Sequence, residues 1–163
     1  MILVVDANVW FDLDNAGLLS TVSQLEAELV VPDLLLPELE TLTLPNSVRV
    51  HRSSSAELKA IVEFRRTSPQ LTDVDAIALV VSHREHAVLV TGDAHLRKSA
   101  ESSAVEVHGV LWVLDRLIGC GALTETLAAD ALRQMIDGGA HLPAQEVAQR
   151  LSAWGRRDPE SDH

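Results

Sequence analysis

Residues 2–8 read Ile2-Leu3-Val4-Val5-Asp6-Ala7-Asn8. Four consecutive apolar residues rich in β-branched side chains are too few for a buried helix and suit a strand covered on both faces. The run ends on a carboxylate, Asp6. The same pattern returns at Val88-Leu89-Val90-Thr91-Gly92-Asp93, a second apolar run closed by an acid. Ligands of an open parallel sheet sit at the carboxyl ends of strands where the strand order reverses, so two neighbouring strands ending in Asp would gather negative charge there. Such a site calls for a cation.

Outward from these strands the chain alternates. A short helix is expected from Val9, capped by Asp6 or Asn8, and Leu18, Leu19, Val22, Leu25 and Leu29 recur at helical spacing before a strand over 29–31. Residues 33–43 have helical spacing, with Pro37 interrupting a regular interior. A strand at 47–51, a helix at 56–64 and a nearly all-apolar helix at 73–84 follow, the last with acids only in its first turn, Asp73 and Asp75. Then come the strand at 88–90, a helix over 94–101 and a fifth strand at 105–107. This alternation predicts a parallel sheet with right-handed crossovers. Residues 110–154 read as helices punctuated by glycine, with Thr124 placed to cap one and Pro143 to begin another; 155–163 is polar, aperiodic and expected to be disordered.

The 163-residue length and 47% hydrophobic content point to one domain, with a core over about 1–109 and a helical extension over about 110–154. A formal charge of −11 rules out a general electrostatic sponge for nucleic acid, and 3% aromatic content argues against extended stacking platforms. Any polyanion must be met locally. The lone Cys120 allows neither an internal disulfide nor a cysteine metal site, and the seven His form no zinc pattern. The first strand starts at residue 2 with no signal sequence ahead, and no apolar run reaches membrane-spanning length, so a soluble cytoplasmic protein is expected.

Asp6, Glu38, Asp75 and Asp93 each lie beside an expected strand end or helix start, and carboxylates from separate elements suit hard cations such as Mg²⁺ or Mn²⁺. At these residues the chain resembles the PIN-domain nucleases. The runs V-V-D-A-N with Asp6, V-V-P-D-L-L-L-P-E-L with Glu38, L-T-D-V-D-A-I-A-L with Asp75 and V-L-V-T-G-D-A-H-L-R with Asp93 look like that family's four acidic motifs, in order, over roughly residues 1–109. The resemblance implies a three-layer α/β/α fold with a five-stranded parallel sheet in order 3-2-1-4-5. It further implies Mg²⁺- or Mn²⁺-dependent hydrolysis of RNA, often by the toxin of a toxin–antitoxin pair, with an antitoxin protein partner and a homodimeric state. The four acids are then the catalytic and metal-binding set. Asn8, Thr91 and Asp73 stand as supports that orient them, and Arg97 and Lys98 are the substrate-binding cations, ahead of Arg65, Arg66 and Arg84.

Each assignment has a plainer competitor. Asp6 could only cap a helix, Asp93 could only serve a turn, and Glu38 neighbours Glu40. Asp73 competes with Asp75, with Asp73 as cap and Asp75 facing the metal. A phosphoacceptor receiver domain would need an acid ending the third strand, where Val50, His51 and Arg52 stand; a haloacid-dehalogenase-type phosphatase would need an acid at Asn8. The serious alternative is a non-catalytic PIN-like module that binds a protein.

Overall fold

The computed structural model describes residues 1–155. Strands β1 (Ile2–Val5), β2 (Glu28–Pro32), β3 (Arg49–His51), β4 (Val88–Val90) and β5 (Val107–His108) form one parallel sheet in the order β3-β2-β1-β4-β5. The expected order holds. β1 is central: Leu3 and Val4 lie beside Leu29 and Val30 on one side, and Val4 and Val5 beside Leu89 and Val90 on the other. Both faces of β1 are covered, which is why its run is apolar without alternation.

Helices cover both sides. α3 (Asp73–Arg84) packs on β1, β2 and β4 between α2 (Ser55–Thr67) and α4 (Ala94–Ser102). α1 (Ala7–Asn15) packs with α5 (Val110–Gly119) and α6 (Glu125–Asp137), and α7 (Ala144–Trp154) lies on α6. α3 explains its own composition, since Ala76 through Ser82 are all buried. One cluster of buried side chains runs from Leu3 to Trp154 and includes Leu132 and Met135 of the extension. No helix among the described residues is long and apolar enough to cross a membrane.

The structure corrects the sequence reading at five places. The helical spacing over 18–29 yields only a 3₁₀ turn, Thr21–Gln24. Gly17, at φ +69°, ends α1, and Ser23 Oγ donates to the Ser20 carbonyl at 2.5 Å, a local bond that competes with helix. Residues 33–39 are 3₁₀ rather than α, with Pro37 inside, where a regular α-helix would lose a hydrogen bond and clash. The third strand begins at Arg49 rather than at 47.

β5 starts two residues later than expected, because the end of α4 holds that stretch. Ala104 takes φ +56°, and the Val105 N–H donates to the Ala100 carbonyl, so Val105 is spent on terminating the helix. The cap of α3 is Thr72, not Asp73. The expected tail falls outside the described residues, apart from Gly155.

Candidate metal centre and adjoining cleft

Asp6 follows β1 directly and caps α1. Its backbone N–H continues the ladder to the Val90 carbonyl at 2.9 Å, which aims the side chain at the gap between β1 and β4. The carboxylate is 5% exposed; Oδ1 accepts from the Ala7 N–H at 2.9 Å and Oδ2 from the Thr91 hydroxyl at 2.8 Å. Thr91 is fully buried, and its Oγ1 also accepts the Asp93 N–H at 3.1 Å. Asp93 in turn caps α4, its Oδ1 accepting from Leu96 N–H at 2.8 Å. Asp6, Thr91 and Asp93 are therefore joined at the switch point of the sheet.

Asp75 belongs to the N-terminal capping box of α3: its Oδ2 accepts from Thr72 N–H while Thr72 Oγ1 accepts from Asp75 N–H. It still acts on the site. Burial pushes the Asp6 carboxyl above its ordinary value; hydrogen bonds from Thr91 and Ala7 oppose this, and the charges of Asp75 and Asp93 raise it further. Three carboxylates from three elements thus share one field. The capping and ligand readings do not compete, because capping occupies one oxygen of Asp75 and of Asp93 and leaves the other.

The remaining candidates are placed differently. Glu38 is exposed on the 3₁₀ segment. Asp73, expected as a support for the carboxylates, forms an exposed ion pair with Arg65 of α2 at 2.9 Å. Arg66 pairs with Glu63, and Arg84 is exposed on the last turn of α3. Asn8 is exposed. Arg97 Nη2 donates to the Thr91 carbonyl at 3.4 Å, and a Cβ at Gly109 would come within 3.2 Å of that nitrogen, so a glycine leaves the guanidinium its room. Lys98, one residue on, points to solvent outside the cleft that Arg97 lines.

An all-oxygen donor set matches a hard divalent cation. Its spacing is looser than a closed cage: among the described residues no three Asp, Glu, His or Cys side chains stand close enough to hold one ion together. The fit is to a hydrated ion of the Mg²⁺ kind, which keeps several waters and needs few protein carboxylates.

Beside this centre opens a cleft of about 980 Å³, walled by α1, the β4–α4 loop, the start of α5 and the segment leading into α7. Asp93 and Arg97 line it at one end. His108 and Trp112 stack on its wall with ring centroids 4.4 Å apart and planes 5° from parallel, and the Arg116 guanidinium lies 5.6 Å from the Trp112 centroid. Asn8, Asp12 and Asn15 face it from α1. Asp12 is pushed up to about 6 by burial. Sequence reasoning passed over this cleft, although its signals are regular: a polar stripe at i, i+4, i+7 on α1, and His108, Trp112 and Arg116 at steps of four.

The chain matches the profile of a protein family described as DUF3368: PIN domain, over residues 2–156. Among solved structures it is similar to a PilT N-terminus domain protein from the hyperthermophilic archaeon Sulfolobus solfataricus P2, at 15% identity, with 72% of this chain and 94% of that chain covered and a TM-score of 0.55. It is also similar to VapBC2 from Rickettsia felis, bound in that structure to a DNA fragment from their promoter, at 13% identity, with 67% and 98% covered and a TM-score of 0.47. No curated protein matches the sequence. The likeness to the archaeal protein is one of fold.

Proposed function

Because this chain belongs to the PIN-domain family, we propose that it is a metal-dependent endoribonuclease hydrolysing RNA phosphodiester bonds, the toxin of a toxin–antitoxin pair. The observation that carries the reading is the linked group Asp6, Thr91 and Asp93 at the β1/β4 switch point, with Asp75 within electrostatic reach. Neither the cap of α1 nor that of α4 requires an acid on one strand end to share a hydroxyl with an acid on the next. Asp6, Asp75 and Asp93, with water, would hold Mg²⁺ or Mn²⁺, and Glu38 completes the set on its motif. The working unit is residues 1–154.

When bound, the ion supplies Lewis acidity toward the scissile phosphate and the attacking water. The chain's own groups do the rest. Thr91 fixes the rotamer of Asp6 by donating to Oδ2, and the Ala7 N–H holds Oδ1, so the carboxylate does not reorient during turnover. Arg97, which has no carboxylate partner among the described residues, offers a guanidinium to a phosphate in an otherwise acidic protein. No protein nucleophile is needed.

The test is cleavage of a panel of single-stranded and hairpin RNAs with Mn²⁺, Mg²⁺ or EDTA, beside calorimetric titration of Mn²⁺. Metal-dependent cleavage lost in Asp6→Asn and Asp93→Asn is expected. A protein that neither binds Mn²⁺ nor cuts any RNA would instead be a PIN-like protein-binding module.

A further inference from the structure

The cleft beside Asp93 has the parts of a nucleobase site. One wall is aromatic and already ordered: the His108–Trp112 stack is held by the Arg116 guanidinium over the indole and by Glu106 Oε1, 2.9 Å from His108 Nε2. The polar stripe of α1 lines the same cleft, and there Asp12 has no side-chain hydrogen-bond partner among the described residues although burial penalises its charge. The half-buried Asp12 carboxylate is therefore open to a donor from outside the chain. The charge balance is also local. Of the two guanidinium groups that line the cleft, Arg150 is paired with Asp115, which leaves Arg97 as the cation for a phosphate in a chain of formal charge −11.

We propose that this cleft binds one unpaired base of the RNA next to the cut phosphate, stacked on the face of His108 turned away from Trp112, since His108 and Arg116 already cover the indole, and that Asp12 selects guanine. Guanine presents N1–H and N2–H₂ as two adjacent donors, which one carboxylate accepts together; adenine, cytosine and uracil offer no such pair. Asn8 and Asn15, one turn to either side of Asp12, add amide donors and acceptors along the same edge. Arg97, at the Asp93 end of the cleft, meets the phosphate that joins this nucleotide to the scissile one. The inference names the substrate contact of the nuclease reading and rests on it, but it is read out by binding alone.

The experiment uses the full chain in EDTA, where no cleavage occurs. GMP, AMP, CMP, UMP and single-stranded oligonucleotides with one or no guanine are titrated while tryptophan emission is followed. Trp10 and Trp154 are buried, at 0% and 6% exposure, so quenching reports Trp112. Quenching is expected, tightest with GMP and with the guanine-containing strand. Trp112→Leu removes the reporter, and His108→Leu should weaken binding, measured independently by labelled-RNA anisotropy, by roughly fivefold to a hundredfold, the range of one base–aromatic stack. Asp12→Asn should keep the quench and lose guanine preference by about tenfold. Emission unmoved by every nucleotide, or a preference order unchanged in Asp12→Asn, overturns the proposal. Quenching in a protein that never cuts RNA would sink the nuclease reading and leave this one standing.

Discussion

The Thr91 hydroxyl donates to Asp6 Oδ2 at 2.8 Å, between residues 85 positions apart in the chain, while the same oxygen accepts the Asp93 N–H. One buried hydroxyl thus holds both strand-end acids. Thr91→Val keeps the shape and removes donor and acceptor, leaving a buried carboxylate oxygen and a backbone N–H unpaired. A loss of about 1–3 kcal/mol is expected from urea unfolding at pH 7, with Thr91→Ser near wild type. An equally stable valine variant would show that water replaces the hydroxyl.

Arg97 and Lys98 are adjacent in sequence but differ in place, since only Arg97 lines the cleft. Arg97→Ala should raise KM for RNA and flatten the salt dependence of cleavage while leaving Mn²⁺ affinity nearly unchanged. Lys98→Ala should do neither. Equal effects of the two substitutions on the salt slope would mean a diffuse field rather than a phosphate contact.

These sites differ in how far they can be read from sequence. β1, β4 and α3 are legible because each contains an unbroken run of buried residues, Leu3–Val5, Val88–Val90 and Ala76–Ser82, and Asp6 and Asp93 are legible because a carboxylate follows each of two such runs. The stretch 18–29 misleads, since Leu18, Val22, Leu25 and Leu29 are indeed buried, but through a 3₁₀ turn and a strand rather than one helix face. Spacing records burial, not winding. Thr72 as cap of α3 depends on which of two polar residues adopts extended backbone, which composition does not specify. The cleft is harder still, because its walls come from α1, β5 and α5, each unremarkable alone.

His51 closes β3 with its ring between two glutamates: Nδ1 is 3.1 Å from Glu85 Oε1 and Nε2 is 2.9 Å from Glu57 Oε2. Both contacts are hydrogen bonds only when both nitrogens carry protons. Burial raises Glu57, but the Ser54 N–H and His51 outweigh it and hold the carboxyl below its ordinary value; the Arg49 guanidinium does the same for Glu85. With folded values depressed, this stability is present above about 4.5 and is lost as pH falls through the folded values. His51→Leu should cost about 1–3 kcal/mol at pH 7 and narrow the gap to wild type in acid. A gap that stays constant from pH 7 to pH 3 would assign the loss to packing.

The helices beyond residue 109 are part of the core through Leu114, Leu117, Leu132 and Met135, all fully buried. Deleting residues 110–154 should expose their partners on α1 and β5 and yield insoluble protein. A soluble truncation that still cuts RNA would make the extension an accessory.

Asp6→Asn separates the cap from the ligand. Asparagine caps a helix about as well as aspartate and still accepts from the Ala7 N–H, so the fold should survive where Asp6→Ala would lose the cap. In the wild type, burial raises the folded value above the ordinary 3.8, the Thr91 and Ala7 hydrogen bonds oppose it, and Asp75 and Asp93 add to it. A raised carboxyl contributes stability that is full below 3.8 and lost as pH rises through the folded value, because the unfolded chain has already released its proton. Asparagine has no proton to release. Between pH 4 and pH 8 without metal, the variant should therefore gain on wild type, by about 1.4 kcal/mol for a tenfold weakening of the carboxyl's acidity. Mn²⁺ at a hundredfold excess over its Kd should stabilise wild type by about 2.7 kcal/mol, because it binds the folded form, and the variant by much less. Melting curves at both pH values, with and without Mn²⁺, read all four quantities. A variant that melts below wild type at pH 8 in EDTA would make the charge of Asp6 structural and remove it from the metal set.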